Sequence, residues 1–258
     1  VHYRRFGDSG PDLVLLHEAP LSSVVFDKCL PILGRSARAV AFDLPGYGAS
    51  DPPSHAPTIK EYSNLVIEAI ELLGIEDFAL AGVHTGAAIG AELISQDEDS
   101  QVTHAIFTGM PLLDADHKAA IESRIVPPQP NPDGSHMEKV WAARQQTVGE
   151  SGDFELCQLG AIDILSVYER YDWGIRATID HDAAPALKVL KCPVLFLNGA
   201  GDRMAKSDEA AAALVPDAKL EINPDIGSQI PWHEPDYYAR VLLEFLGVGD
   251  ASVRNVGR

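Results

Sequence analysis

The run FALAGVHTGAAIGAELI, Phe78 to Ile94, decides the fold. Its first six residues, Phe78–Val83, form a short uncharged apolar stretch, as expected of a strand buried on both faces. From Gly86 to Ile94 the spacing is helical. Between them lies GVHTGAA, Gly82 to Ala88, with small residues at Gly82, Gly86 and Ala87 around His84. That spacing permits a tight strand-to-helix turn. Its central residue is forced into strained backbone geometry and points into solvent above the sheet.

The alternation continues in both directions. Asp12–His17, Ala37–Asp43, Val102–Thr108 and Pro193–Asn198 read as further buried strands. Ile59–Leu73 repeats apolar residues at steps of three and four and reads as a helix, as do Ala205–Leu214 and Pro235–Leu246. Strand, helix, strand in succession predicts an α/β protein with a doubly wound, mostly parallel sheet. The alternation stops between about Met110 and Ala186. That stretch holds PPQPNPDG and helical pieces around Val140–Gln146 and Leu156–Tyr171. It reads as a helical lid over 111–186, inserted into a core of 1–110 and 187–249. Asp250–Arg258 reads as a frayed tail.

Composition narrows the function classes. The 258 residues carry 20 Lys and Arg against 38 Asp and Glu, a net charge of −18. Nucleic acid and anionic membranes both repel such a chain, so neither is expected as a partner. A small-molecule substrate is, and a homodimer stays open. No apolar run approaches the roughly 18 residues that span a bilayer. The opening Val1–Arg5 does not read as a secretion signal. Cys29, Cys157 and Cys192 form neither an even framework nor a metal-like spacing, which suits a reducing cytoplasm. No G-x-G-x-x-G opens the first strand–helix unit, so a dinucleotide enzyme is disfavoured.

The turn at His84 resembles the nucleophile elbow, G-x-nucleophile-x-G, of the α/β-hydrolase fold superfamily. Three further segments carry the resemblance. LLHEAP, Leu15 to Pro20, resembles the oxyanion loop after an early strand. DLPGYGASD, Asp43 to Asp51, is close to the D-x-P-G-x-G-x-S-D stretch of the dehalogenase, epoxide hydrolase and esterase branches. LNGAGD, Leu197 to Asp202, matches the strand end that carries the acid. The resemblance covers essentially the whole chain. It implies an oxyanion hole built from backbone N–H groups of Thr85 and of the Glu18–Ala19 loop, with Asp202 as the orienting carboxylate.

Two positions depart from the family pattern. His84 stands where Ser, Asp or Cys is usual, and Ser228, after Gly227, stands where the catalytic His is usual. An acyl-serine route is therefore not available at the elbow. Four readings follow. His84 acts as general base or nucleophile, oriented by Asp202 directly or through Ser228. His84 shuttles a proton in a lyase or decarboxylase-like reaction. The chain binds a ligand without chemistry. Or the irregular loop at Pro231 and Trp232 brings His233, not Ser228, into the site.

Other residues have competing readings. Glu18 could pair with His84 and stabilise imidazolium, or be a solvated loop residue. His17 reads as a brace for that loop, and Asp43 as the fixer of the turn holding Gly46 and Gly48. In DGSHMEKVW, Asp133 or Ser135 could cap a helix, with Glu138 completing a capping box, while His136 and Trp141 could face a pocket beneath the lid. Tyr168, Tyr171, Trp173 and Trp232 read as pocket or lid-core aromatics. Glu18, His84 and His136 have no diagnostic ligand spacing, so no metal is expected. The expected function is cofactor-independent hydrolysis of a small, largely apolar organic substrate: an ester, a lactone or an activated C–C bond.

Overall fold

A computed structural model describes residues 1–125, 128–148 and 152–248. The tail expected over 250–258 lies outside them. The strands are β1 (Tyr3–Phe6), β2 (Asp12–Leu16), β3 (Arg38–Phe42), β4 (Phe78–Val83), β5 (Val102–Thr108), β6 (Val194–Gly199) and β7 (Lys219–Asn223). The helices are α1 (Leu30–Leu33), α2 (Ile59–Leu72), α3 (Thr85–Ser95), α4 (Ala115–Glu122), α5 (Ser135–Val148), α6 (Phe154–Ser166), α7 (Trp173–Asp180), α8 (Ala184–Leu187), α9 (Ala205–Ala212), α10 (Ile230–His233) and α11 (Pro235–Phe245).

The strands form one sheet in the order β1-β3-β2-β4-β5-β6-β7. β1 runs antiparallel to β3, and the other pairings are parallel. The doubly wound sheet expected from the sequence is therefore present. Period-two packing builds a layer on each face. Val14 and Leu16 enter the layer that holds Ala87, Ile89 and Phe107. Leu13 and Leu15 enter the one that holds Leu30, Tyr238 and Leu242. Burying each such leucine stabilises the fold by about 1.5–3 kcal/mol.

β1 and β7, absent from the sequence reading, are the two edge strands. Among the described residues, α4 to α8 fall between β5 and β6, where the strand pattern was expected to stop. The expected capping box at Ser135 does not form. α5 begins at Ser135, whose N–H donates to Asp133 Oδ1 at 3.0 Å. Asp43 does fix its turn, accepting from the N–H groups of Ser23 at 2.8 Å and Ala49 at 2.9 Å. His17 is fully buried between the Glu18 carbonyl and the Leu44 N–H, so it braces the loop in neutral form; burial holds its pKa below the ordinary value.

Candidate active site

In open parallel sheets the carboxyl ends of central strands gather ligand-facing loops. Here β2 delivers Glu18, β4 delivers His84 and β6 leads to Asp202. The turn after β4 is as sharp as its small residues require. His84 has φ 45° and ψ −109°, a conformation that costs a non-glycine residue about 1–3 kcal/mol. Its backbone is held at both ends. The N–H donates to the Thr108 carbonyl at 2.8 Å, and its carbonyl accepts from Ala87 at 2.9 Å and Ala88 at 3.1 Å. Gly86 allows the helix to start this close, since a β-carbon there would run into the Leu16 and His17 carbonyls.

The His84 ring lies with its Cδ2–Nε2 edge over Gly109, which has φ +66° and no room for a side chain. Nε2 is 3.2 Å from Asp202 Oδ1. The His84 side chain keeps 24% of its surface open, while Asp202 is almost wholly covered at 3%. No protein hydrogen bond to Nδ1 occurs among the described residues. Burial works against a charged ring, but the Asp202 carboxylate and its hydrogen bond, with the fields of Glu18 and Asp208, win and raise the His84 pKa to about 9. Burial also opposes ionised Asp202; the imidazolium and the Met204 N–H overcome it and lower its pKa to about 2. The pair is thus imidazolium and carboxylate at neutral pH.

Asp208 is the site residue that the sequence reading missed. Fully buried on α9, it accepts from Gly109 N–H at 3.0 Å, Met110 N–H at 2.7 Å and Asn198 Nδ2 at 2.8 Å. Burial raises its pKa to about 7 against those hydrogen bonds. It fixes the glycine turn on which the His84 ring rests. The one available signal was its place in the first turn of the helix that follows Asp202.

Several expectations need correction. Ser228 does not link Asp202 to His84. Its carbonyl accepts from His233 Nδ1 at 2.9 Å, and its hydroxyl bonds to neither residue. His233 is not the partner either. Its Nε2 lies 3.5 Å from Asp153, at the start of α6. Glu18 is neither solvated nor bonded to His84. It is buried, with Oε1 accepting from Gln229 Nε2 at 2.8 Å. His136 is not brought to the elbow; its Nδ1 accepts from the Asn131 N–H at 3.1 Å. Trp141 stacks on Phe154 at 6.4 Å and packs between apolar clusters of α5 and α6.

Thr85 and Ala19, the residues expected at an oxyanion hole, lie at the start of α3 and on the loop after β2. Thr85 N–H is at the first turn of α3, where N–H groups have no intrahelical acceptor. Ala19 packs with the buried core beside Glu18. The Thr85 hydroxyl is occupied, accepting from Thr178 Oγ1 at 3.1 Å. Of the aromatics, Trp232 is buried and donates to Asp153 Oδ2 at 2.8 Å. Tyr171 packs against Val140 and Ile164, and Tyr168 bonds to Glu169. A separate depression beside Tyr3, Arg5 and Leu73 lies at the β1 edge. Its Asp12 and Arg38 are paired with each other at 2.7–2.8 Å, and nothing there resembles a reaction centre. Among the described residues no group of three or more His, Cys, Asp or Glu could hold a metal ion, and no helix is long and apolar enough to cross a membrane.

The chain belongs to the alpha/beta hydrolase family, whose model matches residues 13–241. A fluoroacetate dehalogenase of a Burkholderia species is 33% identical over 110 residues, 41% of this chain and 36% of that protein. A bifunctional esterase/perhydrolase of Acinetobacter calcoaceticus is 24% identical over 95% of both chains. Among solved structures, an esterase from Exiguobacterium antarcticum superposes with a TM-score of 0.81 at 19% identity, covering 95% of both chains. An enol-lactonase from Burkholderia xenovorans LB400 gives 0.76 at 17%, covering 95% of this chain and 96% of that one. The relatives include esterases and dehalogenases, which supports a hydrolase of small substrates.

Proposed function

We propose that this chain hydrolyses a small organic substrate with an ester, lactone or activated C–C bond, and that His84 is its general base. The carrying observation is the direct contact between the elbow imidazole and Asp202. In the neutral ring Nε2–H donates to Asp202, which leaves the Nδ1 lone pair to take a proton from water. For a carbonyl substrate, the water oxygen bonds to the carbonyl carbon as its proton passes to Nδ1. The C=O electron pair moves onto oxygen, beside the N–H groups of Thr85 and the Glu18–Ala19 loop. Collapse of that intermediate expels the leaving group, which receives the proton from the imidazolium. Helices α4 to α8 serve as the lid that limits which molecules enter. The relatives' activities and the open quarter of the ring support this assignment.

The test is turnover of p-nitrophenyl esters and simple lactones by wild type and His84→Ala. The reading expects loss of at least about a hundredfold, the usual scale for removing a general base. Single turnover in ¹⁸O-water should label the acid product without a covalent acyl-enzyme. Equal rates in wild type and variant would overturn the assignment.

A further inference from the structure

Arg144 sits on α5 and is only 5% exposed, yet neither its Nε nor its Nη2 has a hydrogen-bond partner. α6 makes space for it. A β-carbon on Gly160 would come within 2.5 Å of Nε and 3.0 Å of Nη2. One turn further along α6, Asp163 accepts from Ser22 Oγ at 2.8 Å. That bond ties this part of α6 to the loop just after Glu18. Glu18 is itself incompletely satisfied: Oε1 is held by Gln229, while Oε2 is buried and unpartnered. No ion pair within 4.0 Å joins Arg144 to Glu18 or Asp163 among the described residues. Glu18 nevertheless is the leading negative charge acting on the guanidinium, and Glu18 also acts on His84.

A buried guanidinium with open donors is costly, and an apolar side chain of similar length would be cheaper. Nε and Nη2 lie side by side on one edge of the planar group. Together they are the two parallel donors that a carboxylate accepts at once. A hydroxyl or ketone oxygen would satisfy one donor and leave the charge uncompensated. The chain's net charge of −18 repels anions in general, so an anionic substrate needs a local cation of this kind. The field of Glu18 at the guanidinium disfavours a second carboxylate.

We propose that Arg144 anchors a carboxylate on the substrate, and that the molecules hydrolysed here carry one free carboxylate besides the bond that is broken. The substrate class rests on the hydrolase reading above, but the anchor can be tested without turnover. Calorimetric titration of the full chain uses acetate, butyrate and benzoate as monocarboxylates, succinate as a dianion and butyramide as a neutral control. The proposal expects saturable binding of at least one monocarboxylate to wild type and to His84→Ala, weaker binding of succinate, and none of butyramide. Arg144→Gln should weaken monocarboxylate binding at least about tenfold, the scale of a hydrogen-bonded charge. Arg144→Lys keeps the charge without the fork. It should also lose affinity, and it carries the test if Arg144→Gln does not fold. Wild-type affinity in a folded Arg144 variant overturns the proposal, as does failure of all three monocarboxylates to bind wild type. Full turnover in His84→Ala with Arg144-dependent binding intact overturns the assignment of His84 as general base alone.

Discussion

Asp202 holds the elbow histidine directly: its Oδ1 lies 3.2 Å from His84 Nε2, across 118 positions of sequence. In a Ser-His-acid arrangement the acid orients a histidine, and the histidine addresses a hydroxyl on the elbow. Here the histidine has taken the elbow itself and the acid still reaches it. The loop that normally supplies the histidine, Ile226 to Gln229, instead sends Gln229 to Glu18.

If the neutral ring is the base, activity must follow its deprotonation. With the His84 pKa raised to about 9, kcat/KM should rise about tenfold per pH unit through neutrality and level off near pH 9. Asp202→Asn removes the main interaction holding the proton on. The bend should then move down towards the ordinary histidine value of about 6.5, and an NMR titration of the His84 ring should move with it. A rate that falls as pH approaches 9 would assign the ring to proton donation.

The same ion pair makes stability depend on pH. A histidine whose pKa is higher folded than unfolded stabilises the fold fully below about 6.5, and that contribution is lost as pH rises towards 9. Wild type should therefore lose stability relative to His84→Gln across that interval. Urea unfolding at pH 6 and pH 9 measures the difference. A constant gap between the two proteins would show that the pair does not form.

The central strands and the elbow were legible because buried parallel strands leave continuous apolar runs. Phe78–Val83 and Val102–Thr108 match the structure end to end. The edge strands were not. Tyr3–Phe6 is YRRF and Lys219–Asn223 is KLEIN, and both are largely exposed, so neither leaves a hydrophobic run. α4 was equally silent because it buries no residue. At the site, His84 and Asp202 were named from motif positions. Ser228 was wrongly joined to them because motif order says nothing about where a loop aims its side chains. Asp208 and Arg144 were missed because their roles arise from burial, which a polar residue on a helix does not advertise.

Gly109 supports the His84 ring by lacking a side chain. Gly109→Ala would place a methyl group into the Cδ2–Nε2 edge of the imidazole and also strain a backbone at φ +66°. The expected cost is about 1–3 kcal/mol of stability, with at least about a tenfold loss of turnover as the ring is pushed off Asp202. Chemical denaturation and steady-state rates check the two effects separately. An alanine variant with wild-type activity would mean that the ring need not rest there.

Asp208 offers a last test, of the floor beneath the site. Its carboxylate accepts two backbone N–H groups and Asn198, but burial dominates and raises its pKa to about 7. A carboxyl with a raised pKa binds its proton more tightly folded than unfolded. Wild-type stability should therefore fall as pH rises from about 4, the ordinary aspartate range, to about 7. Asp208→Asn keeps the shape and cannot titrate, so this fall should shrink in the variant to the share of Asp163, whose pKa burial likewise raises, to about 6. The variant's destabilisation should then be greatest near pH 4 and shrink by pH 7. It should also show a lower His84 pKa above pH 7, where wild-type Asp208 is charged and its field favours the imidazolium. Parallel unfolding curves at pH 4 and 7, with a His84 NMR titration, would expose a mistaken assignment if wild type and variant ran together throughout.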